Sequence, residues 1–123
     1  MNLTKLLIGN ALFAAIGGFG LLIMPAQLMS PYGVSLDTAG IFLAQLLGII
    51  LLGYAALNWY VRNVKDKVVL KAVVISALVS HIGSAGLSLV YLNSGILNSN
   101  LWIDIILHSL FAAGFWYWGF SKK

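Results

Sequence analysis

The chain has 123 residues, 61% of them hydrophobic and 8% charged, whereas a soluble domain carries roughly 25% charged residues. So little polar surface cannot cover a water-soluble core, and the chain reads as an integral membrane protein. Its net charge of +4 would suit nucleic acid if the bases formed a stripe, but they sit beside apolar segments instead. The absence of cysteine removes disulfides, thiolate metal sites and thiol nucleophiles.

A helix crosses the hydrocarbon core with about 20 mostly apolar residues, and four segments meet that length. The first covers residues 6–24. Lys5 ahead of an apolar run has the outline of a signal peptide, but the run is long for one and reads as helix one. Residues 25–38, PAQLMSPYGVSLDT, hold both prolines and predict a turn with a small interfacial segment, Asp37 or Thr38 being placed to cap the next helix. The second helix is expected over 39–61 and the third over 68–92, with the tight basic hairpin RNVKDK between them. The polar turn NSGILNSN leads to the fourth, over 101–120. Nothing alternates as a β-barrel strand would. Short connections make neighbouring helices antiparallel, so the expectation is one all-α domain, residues 1–123, folded as an up-down bundle of four transmembrane helices.

Charge sets the expected orientation. The seven Lys and Arg residues are Lys5, Arg62, Lys65, Lys67, Lys71, Lys122 and Lys123, and four crossings put all of them on one side. The positive-inside rule makes that side, with both termini, cytoplasmic. Trp59, Tyr60, Trp116, Tyr117 and Trp118 would form the inner aromatic belt, and Tyr32, Tyr91 and Trp102 the outer one.

Helices in lipid associate through small residues and polar contacts. Gly40, Ala44 and Gly48 recur at four-residue spacing on helix two, as do Ala72, Ser76, Ser80, Ser84 and Ser88 on helix three; helix one offers Ala14 and Gly18. Packing within the bundle is the expected use of these stripes, with a serine-lined path or a subunit interface as alternatives.

Ionisable residues inside a membrane span are costly and raise a functional hypothesis. Here they are His81, Asp104 and His108, with Gln45 as a neutral polar group at depth. At 1.5 Å per residue, Asp104 lies roughly 5 Å, Gln45 roughly 9 Å, His108 roughly 10 Å and His81 roughly 16 Å from the outer boundary. Asp104 and His108 are an i, i+4 pair on one helix face, and an aspartate there fixes the imidazole tautomer. The same-face neighbours of His81 are the small residues Ala77, Ser84, Ala85 and Ser88, which leave space beside the ring. Asn10 and Asn58 lie nearer the cytoplasmic ends, within reach of water, and read as structural. Three uses of His81 stay open: a core histidine bonded across helices, part of a small-molecule pocket, or a metal or haem ligand. A metal held by all three ionisable residues is disfavoured by the shallow position of Asp104. No phosphate loop, HExxH motif or nucleophile elbow is present, so no catalytic residue is assigned and an enzyme is not the expectation.

The stretch GLLIMPAQLMSPYGVSLDTAG followed by LAQLLGIILLGYAALNWYVRN resembles small bacterial four-helix membrane proteins of the DoxX-like kind. Pro25, Tyr32, Gly33, Gly48, Gly53, Trp59 and Arg62 carry the likeness. The resemblance implies a multi-pass protein of the bacterial inner membrane and a quinone-facing role.

The leading functional expectation is an outer-half intramembrane pocket for a quinone- or lipid-like amphiphile, in an accessory membrane protein, with Gln45, His81, Ser84, Asp104 and His108 as ligand-facing residues. One alternative is a b-type haem redox protein with His81 and His108 as axial ligands. Another is an oligomeric proton or ion channel or transporter subunit. Membrane lipids, a small amphiphilic ligand and either a homo-oligomer or a larger membrane complex are the expected partners; nucleic acid is not.

Overall fold

A computed structural model describes residues 2–121; Met1, Lys122 and Lys123 lie outside the described residues, and with them two of the seven expected basic positions. Helix α1 covers Leu3–Ile23, a short α2 Pro25–Met29, α3 Thr38–Val61, α4 Lys67–Asn93 and α5 Leu101–Trp116. A 3-10 turn at Ser30–Tyr32 follows α2, and a single π turn, Tyr117–Ser121, extends α5. Four of these helices are long and apolar enough to cross a membrane: α1, α3, α4, and α5 with its π turn. The expected up-down four-helix architecture is the one found, with the helix starts within three residues of those read from the sequence.

The starts are set by side-chain caps. An N-cap carboxylate or amide satisfies backbone N–H groups that have no partner inside the helix. Asn2 accepts from the Lys5 amide at 3.0 Å, and Asp37, rather than Thr38, caps α3 by accepting from Gly40 N at 2.7 Å. Asp66 accepts from Val68 N and Val69 N at 2.8 and 3.0 Å. Pro25 begins α2, where a missing N–H costs nothing. Gly33 ends the 3-10 turn with φ of 83°, a left-handed conformation that glycine adopts without a Cβ penalty.

The bundle is two hairpin-like pairs, α1 with α3 and α4 with α5, joined by lighter contacts. The α1–α3 pair closes at Gly18 and Gly48, where an added Cβ on either residue would lie 2.9 or 2.7 Å from the other's carbonyl oxygen. Backbones approach that closely only without side chains, the expected use of small residues in lipid. The serine stripe of α4 behaves differently. Ala72, Ser76 and Ser80 are exposed, and only Ser84 and Ser88 turn inward. With 3.6 residues per turn, each four-residue step overshoots one turn by about 40°, so a stripe at that spacing winds around the helix rather than staying on one face.

An apolar core of Leu6, Leu7, Val61, Val73, Val74, Ala77, Leu78 and Phe115 ties all four long helices together at the end that carries the basic hairpin and the first and last described residues. We call this the basic end. At the far end the two connections hold each other: Asn98 Nδ2 and Asn100 Nδ2 donate to the Pro31 carbonyl at 2.8 and 2.6 Å, and Asn98 N donates to the Tyr32 carbonyl at 3.2 Å. Outward, Ile16, Phe42, Ile50, Val79 and Leu110 stand exposed, an apolar perimeter of the kind a bilayer covers.

Candidate functional site

Between the apolar core and the far end, all four long helices contribute to one string of hydrogen-bonded side chains. It is best read from its most constrained member. Asn58 on α3 is fully buried, and its Nδ2 donates at 2.8 Å to the Tyr54 backbone carbonyl one turn back. A carbonyl only accepts, so this contact fixes the Asn58 amide with its oxygen turned the other way. That oxygen accepts from Asn10 Nδ2 of α1 at 3.2 Å. The same Asn10 nitrogen donates to the Tyr54 hydroxyl, also at 3.2 Å. Asn10, fully buried too, therefore turns its own oxygen towards α4, where His81 Nε2 lies 3.0 Å away.

The order of hydrogens follows from there. Asn10 Oδ1 can only accept, so His81 Nε2 carries a hydrogen. In a neutral imidazole the other nitrogen is then an acceptor, and His81 Nδ1 faces His108 Nδ1 of α5 at 2.7 Å. His108 Nδ1 is the donor in that contact. Its Nε2 lies 3.3 Å from Asp104 Oδ1, and Ser88 Oγ donates to Asp104 Oδ2 at 2.6 Å. The string runs Tyr54–Asn58–Asn10–His81–His108–Asp104–Ser88, with one hydrogen shared at each histidine contact.

Packing holds the rings in place. His81 is 2% exposed and lies nearly parallel to Phe111, with centroids 4.9 Å apart and planes 9° apart; Phe115 stacks further off at 5.9 Å. Phe13 meets His108 edge-on at 5.6 Å. The outer members are more open: the side chains of His108 and Asp104 are 16% and 28% exposed.

Of the residues expected at the site, His81, His108 and Asp104 come together. Gln45 does not join them; its Nε2 donates to the Leu22 carbonyl at 3.1 Å, serving the last turn of α1. Ser84 is half-buried one turn from His81, and the hydroxyl in the string is that of Ser88 instead. Asn10 and Asn58 were expected within reach of water near the helix ends, yet both have zero exposure. The sequence carried a signal for Asn10: Leu6, Leu7, Asn10, Ala11, Ala14, Gly18 and Leu21 form the buried stripe of α1 at the three- and four-residue spacing of one helix face. Ser88 stands seven residues from His81, two turns along the same face.

A shallow groove of about 390 Å³ opens beside the string, between α4 and α5. His81, the small residues Ala85, Gly86 and Ala112, the apolar Ile82, Leu89 and Ile105, and Ser109 with its hydroxyl line it. A bis-histidine haem does not fit the ring positions: an iron needs about 2 Å to each nitrogen, whereas the two Nδ1 atoms meet directly at 2.7 Å. Both Nε2 atoms are engaged as well. Among the described residues no group of three or more His, Cys, Asp or Glu side chains could hold a metal ion.

The chain belongs to a family described as "Domain of unknown function (DUF8292)", whose model matches residues 8–121 and so covers every member of the string. No curated protein and no solved structure matches the chain.

Proposed function

We propose that this family member is a multi-pass protein of the bacterial inner membrane, with termini and basic hairpin cytoplasmic, that binds a quinone- or lipid-like amphiphile in the groove between α4 and α5. The observation that carries the reading is the place of the groove: it lies between α4 and α5, with His81 and Ser109 among its lining residues and with Ile82, Gly86 and Leu89 exposed on the apolar perimeter. Its volume falls within the roughly 300–1,000 Å³ of small-molecule sites, which are mostly apolar with a few placed polar groups. A flat head group would lie against Gly86 and Ala112 with a carbonyl or hydroxyl on Ser109, while Ile82 and Leu89 meet its tail. Such a ligand reaches the site through lipid, without crossing water.

The test is binding of a short-chain benzoquinone to the protein in nanodiscs, together with mass spectrometry of what co-purifies. Saturable binding that Gly86→Leu abolishes is expected, because that side chain fills the groove. No bound amphiphile of either kind, or binding that Gly86→Leu leaves unchanged, would refute the assignment.

A further inference from the structure

The hydrogen-bonded string crosses most of the bundle, which invites a transmembrane proton path. Its order of hydrogens gives a different answer. With Nε2–H of His81 held by Asn10 Oδ1, the Nδ1···Nδ1 contact has room for one hydrogen and the His108–Asp104 contact for one more. Four arrangements satisfy that count; one would leave His108 an imidazolate anion and is set aside as too costly, and three remain. The extra proton sits on the Asp104 carboxyl, on His108 as imidazolium beside a carboxylate, or on His81 with His108 neutral. Net charge is zero in all three.

Moving between them takes simple transfers. The Asp104 O–H bond breaks as an N–H bond forms at His108 Nε2; the His108 Nδ1–H bond then breaks as one forms at His81 Nδ1. The proton charge thereby travels from the outer carboxyl to the middle of the bundle. It stops there. The next member is an amide oxygen, which has neither a basic nitrogen nor an acidic hydrogen to pass on, and both asparagines are locked in one orientation by the Tyr54 carbonyl.

Surroundings agree. Around the two histidines α1 brings Asn10 and Phe13, α3 brings Tyr54 and Asn58 beyond Asn10, α4 brings Ser88, and α5 brings Asp104, Phe111 and Phe115. The titratable groups among them are Tyr54, Asp104 and the histidines themselves; no lysine or arginine is present. Tyr54 is separated from His81 by the Asn10 amide. Leu6, Leu7, Val61, Val74, Ala77 and Phe115 then form the apolar layer towards the basic end, whereas Asp104 at the other end is partly exposed.

We infer that Asp104, His108 and His81 form a one-sided proton-loading site, which takes up and releases a single proton at the far face of the bundle and is closed by Asn10 towards the basic end. This reaches beyond amphiphile binding and does not depend on it, since the site loads whether or not the groove is filled.

The experiment is infrared difference spectroscopy on vesicles with protein of determined orientation, with pH stepped on one side at a time. The carboxylic-acid band of Asp104 is identified by its loss in Asp104→Asn and, independently, by its shift in Ser88→Ala, which removes only the hydroxyl donor. The expected result is a change of that band, or of the histidine ring bands where the proton rests on an imidazole, when pH is stepped at the face bearing Ser94, and none when it is stepped at the face bearing Lys65. A band that responds equally from both faces would overturn the closure at Asn10. One that responds from neither would overturn the loading site itself. Neither outcome bears on whether benzoquinone binds, so the two assignments fail separately.

Discussion

His81 Nδ1 and His108 Nδ1 lie 2.7 Å apart, so α4 and α5, which also meet through Ser88 and Asp104, are joined here by a single shared hydrogen. With His81 neutral, the Asn10 oxygen at its Nε2 makes His108 the ring that supplies it. Consequences of that arrangement, and of the packing that supports it, are open to measurement.

Truncating Asn10 strands two buried groups at once, the Nε2–H of His81 and the oxygen of Asn58. A buried polar group left without a partner costs about 1–3 kcal/mol. Asn10→Ala is therefore expected to lower the Tm in detergent clearly, and by more than Gln45→Ala, which removes one half-buried donor from α3 to a carbonyl in the last turn of α1. Equal losses for the two variants would show that Asn10 is not a structural keystone of the string.

Asp104 distinguishes shape from charge. An asparagine there can donate its amide to His108 Nε2 and accept from Ser88, so Asp104→Asn is expected to fold with stability within about 1 kcal/mol of the original, near the net value of one hydrogen bond. Asp104→Ala leaves both partners unmatched and should cost more. Thermal melts of the two side by side give the comparison.

Glycines on the two sides of the bundle should respond with opposite signs. A methyl at position 48 would lie 2.7 Å from the Gly18 carbonyl oxygen, and overpacking of that kind costs about 1–3 kcal/mol. Around Gly83 there is nothing within 4 Å, and replacing a mid-helix glycine with alanine gains roughly 0.5–1 kcal/mol. Gly48→Ala is expected to lower the Tm and Gly83→Ala to leave it unchanged or raise it.

The architecture was legible because its causes are one-dimensional: apolar length, capping residues and short connections all lie along the chain. Asp37 marks the start of α3 by type and position and does cap it, whereas Asp66, read only as part of the basic hairpin, caps α4 as well. The outer part of the site was legible for a similar reason, since Asp104 and His108 share a face through local helix geometry. What depth counting missed is lateral placement. Asn10 lies near a helix end, where water was expected, but the basic-end core closes over it. Gln45 has the right depth and the wrong azimuth. Ser84 and Ser88 differ by one turn, and it is the Ser88 hydroxyl that reaches Asp104 across to α5.

Orientation rests on the basic residues, and cysteine labelling reads it. Cysteines replacing Ser94 and Lys65, at opposite ends of the bundle, should react from opposite sides of the membrane, with Ser94→Cys open to an impermeant reagent in intact cells. Labelling of Lys65→Cys from outside would invert the bundle and turn the proton-loading face to the cytoplasm.

The most direct test of the hydrogen order is 15N magnetic resonance of the protein in lipid bilayers with its two histidines labelled. The arrangement described here predicts a protonated Nε2 on His81 and a coupling between the two Nδ1 nuclei through the hydrogen they share. A His81 ring protonated at Nδ1 and bare at Nε2, with no coupling between the rings, would contradict it.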